Sequence, residues 1–320
     1  MTPAAALAAR LAPLRLAWGA LPGALRGAVL LIVSFFFFTF EIVGAKMLGD
    51  RLPTAQVTFV RSFGQLVVLA PFIAMAGGAM FRWKLAHLHL LRSTLGIAGL
   101  YAYFYSFGHM PLAAATTLSF TKALFLVFLA WAILREQVGP RRWSATLAGL
   151  VGVLIVVRPG ADSFEWVSLI AVFSAICGAG LMVTTKFLTG RESTLSIMCW
   201  VAVITTVYSV GPGLWFWQTP DAFELTWLAI IGLFGPIGQF FGISAFRAAD
   251  ASFLAPIDYL RLLISVGAGF WLFAERPDVY TALGAAVIVG STLYVNHREM
   301  RVARARARAA RVPPPGPPLQ

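Results

Sequence analysis

Charge is scarce in this chain. Asp, Glu, Lys and Arg make up 12% of its 320 residues, where about 25% is usual in soluble domains. Acidic groups are the rarest, 13 against 25 basic ones. Cysteine is nearly absent too. Cys177 and Cys199 both fall inside apolar runs, a spacing that makes neither a disulfide framework nor a metal site, so they read as small core residues. The four histidines, His87, His89, His109 and His297, stand at loops or at the ends of apolar runs. No His-Glu-x-x-His pair and no nucleophile elbow accompanies them, which argues against an enzyme and gives no reason to expect a metal or cofactor. Long polar linkers are missing, which excludes an inserted soluble domain. The alternating ten-residue strands of a membrane β-barrel are missing as well.

What the chain has is apolar sequence. Its hydrophobic fraction is 59%, against about 45–50% in soluble proteins, and its mean hydropathy is +0.80. A soluble core of this size has no room for so many Leu, Val, Phe and Ala, whereas lipid accepts them. Runs of roughly 17–25 apolar residues span a bilayer as helices, because lipid leaves backbone polar groups no other partners. Ten runs are predicted, over Ala28–Leu48, Thr54–Ala76, Leu90–Phe107, Leu112–Leu134, Trp143–Val157 (rather short), Val167–Phe187, Leu195–Trp217, Leu225–Phe246, Ser252–Phe273 and Val279–Val295. Short turns such as Gly49-Asp50 and Val138-Gly139-Pro140 join them. Trp215, Trp217 and Trp227 fit an interfacial aromatic belt.

The placement of basic residues sets the orientation. Segments on one side hold Arg10, Arg15, Arg26, Arg82, Lys84, Arg135, Arg141, Arg142, Arg191, Arg247 and six arginines from Arg298 to Arg311. Segments on the other side hold Arg51, Arg158 and Arg276. Both termini are therefore expected in the cytoplasm, the membrane being a bacterial inner membrane. Residues 1–27 carry Leu7, Leu11 and Leu14 on one helical face and read as an interfacial segment rather than a signal peptide. Residues 298–320 form a basic, Pro-rich tail suited to anionic lipid. No base-reading module accompanies that charge, so nucleic acid is not an expected partner.

The chain also repeats itself. Phe107 to Glu136 lies over Phe246 to Glu275 without a gap, an offset of 139 (246 − 107). Lys122 then meets Arg261, Glu136 meets Glu275, and Gly96 and Gly99 meet Gly235 and Gly238. Two halves follow, 28–160 and 161–297. Each holds five runs, an odd number, so the halves enter the membrane from opposite sides. Inverted repeats of this kind are common in secondary transporters, which bind solute between the repeats near the midplane. The expected fold is thus an all-α membrane protein of ten transmembrane helices in two inverted five-helix repeats.

Ionisable groups inside spans are costly and mark functional sites by default. Lys122 lies roughly 15 Å into the fourth run and Arg261 roughly 13 Å into the ninth, at about 1.5 Å per residue. Both fall near the midplane, where two cations would favour a carboxylate, phosphate or other anion. Asp258 and Arg261 are three apart and can pair with each other. No acidic residue stands three or four positions from Lys122. Glu41 and Arg61 each lie roughly 10 Å below the same face, and at an offset of 140 (181 − 41) their repeat equivalents are Leu181 and Val201. The charges are present together or absent together, as an ion pair requires, and a gate is the role that suits them. Glu41 and Asp258 are also the proton-carrier candidates. Tyr101 and Tyr105 share a face of the third run with Tyr103 between them, and are candidates to line a cavity beside Gly96 and Gly99. Lys46, Arg92 and Lys186 sit near run ends, can snorkel, and are given no role.

Particular motifs match a known family. Met110-Pro111-Leu112-Ala113-Ala114-Ala115-Thr116 with Glu136, and Ala251-Ser252-Phe253-Leu254-Ala255-Pro256-Ile257-Asp258-Tyr259-Leu260-Arg261 with Glu275 and Gly284, resemble the two half-patterns of the EamA type of the drug/metabolite transporter superfamily. Gly149, Gly152 and Arg158-Pro159 fit as well. The resemblance implies ten helices, a central cavity, and solutes such as amino acids and other metabolites. Ala123 departs from it, because many relatives carry proline there, which leaves the bend of the fourth run open. The expected function is a secondary transporter moving an amino-acid-like, zwitterionic or anionic metabolite by alternating access. An exporter of drugs or toxic solutes is the alternative, ahead of an intramembrane enzyme or a channel. Small solute and membrane lipid are the expected partners, and the sequence leaves the oligomeric state open.

Overall fold

Local signals start several helices a few residues ahead of the predicted apolar runs, at Gly23 rather than Ala28 and at Ala86 rather than Leu90. Pro22 precedes the first helix, Ser193 accepts a bond from the Ser196 N–H at the start of another, and Asp221 with Glu224 forms a reciprocal capping box, satisfying N–H groups that have no partner inside a helix. The structure is a computed structural model describing residues 21–76, 81, 83–133, 140–158, 165–189, 191–249, 254, 257, 260–291 and 293–294. Within these, the helices are α1 (Gly23–Leu48), α2 (Thr54–Ala76), α3 (Ala86–His109), α4 (Leu112–Ser119), α5 (Lys122–Ala132), α6 (Pro140–Val157), α7 (Trp166–Thr189), α8 (Thr194–Trp215), α9 (Ala222–Ala248), α10 (Leu260–Phe273) and α11 (Val279–Ser291).

Six stretches are long and apolar enough to cross a membrane: Gly23–Leu48, Thr54–Met75, Leu112–Leu129, Trp166–Thr185, Leu195–Trp215 and Ala222–Ala245. Trp143–Val157, Leu260–Phe273 and Val279–Ser291 are shorter apolar helices. No strand occurs among the described residues. The outward faces carry Phe36, Val67, Leu154, Val207, Leu263 and Trp271, all exposed, a surface suited to lipid and costly in water.

The most extensive helix contacts join elements that are not adjacent in sequence. α1 packs on α9, α3 on α7, α2 on α8, and α4 on α10. α6 meets α11 where Gly152 and Gly284 let the backbones approach, since a Cβ at Gly284 would fall 2.8 Å from the Gly152 carbonyl oxygen.

The fourth run is broken without proline. α4 ends at Ser119 and α5 begins at Lys122. Between them the chain tightens to i→i+3 bonding, Phe120 N–H to Thr117 O, Thr121 N–H to Leu118 O and Ala123 N–H to Phe120 O. Ser119 and Thr121 hydroxyls donate to the Thr116 and Leu118 carbonyls at 2.7 and 2.6 Å. Such back-bonding accompanies bent helices, and the break occurs here with alanine at position 123.

Candidate functional site

A cavity of about 250 Å³ lies among α1, α2, α3, α7 and α10. Phe38 and Glu41 face it from α1, Arg61 from α2, Tyr103 from α3, Ser174 from α7 and Arg261 from α10. Gly96, Gly99 and Gly178 form part of its wall.

The two arginines in the wall have different surroundings. Arg61 is 8% exposed and Glu41 2%. Their side chains meet at 3.1 Å, Nε of Arg61 donating to Oε1 of Glu41. Nη1 of Arg61 donates to Gln65 and Nη2 to Gln239 at 3.3 Å. The guanidinium is neutralised and held on three sides. Gly235 of α9 makes room for this pair, because a Cβ there would lie 2.5 Å from the Glu41 carboxylate. The equal depth read from the sequence thus corresponds to an ion pair, and both of its members line the cavity.

Arg261 is held more lightly. Its Nη2 donates to Ser119 Oγ at 2.9 Å, its guanidinium lies 5.0 Å over the Phe120 ring, and its Nε is buried with no hydrogen-bond partner. Among the described residues no carboxylate reaches it. Ser119 and Phe120, at the break between α4 and α5, both meet this residue of α10. A hydroxyl chain fixes the crossing: Thr116 and Ser265 share a hydrogen bond of 2.6 Å, and Ser265 donates to the Leu112 carbonyl at 2.9 Å.

Other residues named from the sequence lie elsewhere. The Lys122 side chain runs beside the cavity-lining Gly178, where an added Cβ would meet its Cβ at 3.9 Å. Asp258 lies outside the described residues. Tyr103 lines the cavity, while Tyr101 and Tyr105 do not. The Tyr101 hydroxyl is buried with no hydrogen-bond partner. Tyr105 is exposed and stacks on His109 at 4.2 Å. Phe38, Ser119 and Ser174 were not singled out by sequence, since hydroxyl and phenyl groups in apolar runs carry no warning of function.

Two further polar clusters had no sequence signal. His89 and Glu192 are fully buried and 2.9 Å apart, with His89 stacked on Trp200 at 5.1 Å. Lys46, given no role, pairs with Glu275 at 3.1 Å. The cysteines are both buried and reduced. No cluster of metal-ligating residues occurs among the described residues.

A helical bundle with an apolar exterior and a charged internal cavity is the architecture of a membrane carrier. The chain belongs to the EamA-like transporter family, which matches it twice, over residues 25–158 and 165–297. It is 35% identical to the S-adenosylmethionine uptake transporter of Rickettsia bellii over 259 residues, 81% of this chain and 89% of that one. It is 32% identical to the riboflavin transporter of Brucella anthropi, covering 82% and 95% of the two chains. The pseudopaline exporter CntI of Pseudomonas aeruginosa is 28% identical, over 83% and 94%. A solved crystal structure superposes with a TM-score of 0.58 at 18% identity, covering 86% of this chain and 98% of that one, a likeness of fold alone. The family is one of transporters, and these relatives are named for the uptake or export of small metabolites rather than for a reaction they catalyse.

Proposed function

We propose that this protein is an alternating-access carrier for an amino-acid-like zwitterion or anion, that Arg261 receives the solute carboxylate, and that S-adenosylmethionine is the first solute to try. One observation carries the reading. Arg261 faces a cavity in which the other lining guanidinium, that of Arg61, is already neutralised, and it keeps an unused N–H. A planar guanidinium takes a carboxylate in bidentate fashion, and its stacking on Phe120 holds it in plane for that. Lys122, beside the same wall, adds positive potential. Glu41 supplies negative charge across the cavity, where a solute ammonium or a proton can compete with Arg61 for it. S-adenosylmethionine has both an α-carboxylate and cationic groups, and the relatives named for its uptake are similar over most of the chain.

The same reading gives ten spans in two inverted halves, 28–160 and 161–297, with both termini in the cytoplasm of a bacterial inner membrane. Helix pairing supports it. A two-fold relation between halves turns the α1–α9 contact into the α3–α7 contact, and maps the α2–α8, α4–α10 and α6–α11 contacts onto themselves.

Uptake of labelled S-adenosylmethionine into proteoliposomes tests the solute. The expected result is saturable uptake, inhibited by solutes with a free α-carboxylate and not by their esters, and lost in Arg261→Ala. Inhibition by esters as strong as by acids, or full uptake in Arg261→Ala, would refute the role of Arg261.

A further inference from the structure

We infer that Lys46 and Glu275 form the lock that closes the cavity at the end of the bundle where α1 ends. The inference rests on the carrier reading, but goes beyond its binding site.

Three of the cavity's five helices lead on to the lock. α1 places Glu41 in the cavity and Lys46 five residues further along; α3 places Tyr103 there and is followed by Met110; α10 places Arg261 there and is followed by Glu275. At about 1.5 Å per helical residue, the lock stands roughly two turns beyond Tyr103. The space between is filled. Ile42, Ala45 and Leu48 of α1, Phe104 and Phe107 of α3, and Leu118 of α4 belong to one buried core cluster. A solute leaving toward this end must part that packing.

Glu275 is bonded on two sides. Its Oε1 meets Lys46 Nζ at 3.1 Å, and its Oε2 accepts the N–H of Leu112, the first residue of α4, at 2.8 Å. A carboxylate at a helix N-terminus is favoured by both the unpaired N–H and the helix dipole. Lys46 Nζ donates also to the Met110 carbonyl at 2.8 Å. The chain is shaped for this placement. Ala274 adopts a φ of 52°, which turns the chain so that Glu275 N–H bonds the Gly269 carbonyl at 3.0 Å. Gly269 leaves room for the carboxylate, since a Cβ there would fall 2.7 Å from Oε2. Both side chains are mostly buried, at 19% and 15% exposure. A pair this sheltered and this fully bonded holds strongly while closed, and its groups can be rehydrated when the end opens. That is the behaviour of a two-state element that solute binding can bias.

A labelling experiment tests the lock without any solute. Ser174→Cys puts a thiol on the cavity wall, in a background carrying Cys177→Ala and Cys199→Ala. A membrane-impermeant maleimide is then applied to right-side-out and inside-out vesicles in turn. Lys46→Gln and Glu275→Gln are each expected to raise labelling about tenfold from the face where α1 ends, and not from the other face. Arg158→Gln, which breaks the more exposed Arg158–Asp278 pair, is expected to leave labelling unchanged. Unchanged labelling in the two lock variants, an equal rise from both faces, or an equal rise in Arg158→Gln would overturn the lock. A failed lock leaves solute binding at Arg261 standing, and failed solute binding leaves the lock standing.

Discussion

Arg61 and Arg261 are the same residue in one cavity, yet their surroundings give them opposite capacities. Arg61 meets a carboxylate and two amide oxygens within its own protein. Among the described residues, Arg261 meets one hydroxyl and one ring face. A buried cation with each nitrogen bonded inside the protein is held as scaffold, whereas one with a nitrogen left over has a donor that an incoming anion can use. Charge inside a membrane thus marks a functional region without identifying the binding group. The partners decide that.

The largest expected effect lies on the saturated side. Glu41→Ala leaves Arg61 buried without its counter-ion and is expected to destabilise the protein by about 3–5 kcal/mol, seen as a large fall in melting temperature in detergent. Arg261→Ala is expected to lower it far less, so equal falls would erase the distinction between the two arginines. Gly235→Ala comes next. Its methyl group would press on the Glu41 carboxylate and is expected to cost about 1–3 kcal/mol, recovered in part when Glu41 is also shortened to Asp. Ser119→Ala is expected to weaken solute binding by about 1 kcal/mol, one hydrogen bond's worth, with maximal transport rate unchanged. Ser119→Thr keeps the hydroxyl and should keep the affinity; if it weakens binding as Ala does, the hydroxyl is not what positions Arg261.

The smallest effect lies away from the cavity, at Asp278. Burial alone would raise its pKa, but hydrogen bonds from Thr281 and the Arg158 guanidinium together hold it below the usual 3.8. Its stabilisation is therefore complete above pH 3.8 and lost as pH falls through the lowered folded value. The pair is 27% and 41% exposed, so solvent screening keeps Asp278→Asn within about 1 kcal/mol. The variant should flatten the acid limb of the stability curve. An unchanged limb would show that Asp278 adds nothing there.

These contrasts also mark what could be read in advance. The apolar runs were legible because lipid allows so few alternatives to a helix. The Glu41–Arg61 pairing was legible because two rare charges fell at one depth and vanished together from the other half. Tyr103 was not separated from Tyr101 and Tyr105, because periodicity groups residues onto a face without saying what that face meets. The break at Phe120-Thr121 comes with hydroxyls bonding backward, a pattern also present in the unbroken helices α7 and α8, so it gives no signal in the sequence. His89–Glu192 and Lys46–Glu275 join residues 103 (192 − 89) and 229 (275 − 46) positions apart, and only the fold brings them together. The snorkelling expected of Lys46 gave no hint of a carboxylate waiting across the bundle.

The central claim is that Arg261, and not Arg61, receives the solute. The direct measurement is the melting-temperature shift of purified wild type, Arg261→Ala and Arg261→Lys against a panel including S-adenosylmethionine, amino acids and riboflavin. A solute at about 100 times its dissociation constant should stabilise the wild type by about 2.7 kcal/mol. Carboxylate-bearing solutes are expected to give that shift, Arg261→Lys to keep part of it, and Arg261→Ala to lose it while remaining folded. A full shift in folded Arg261→Ala would contradict the account.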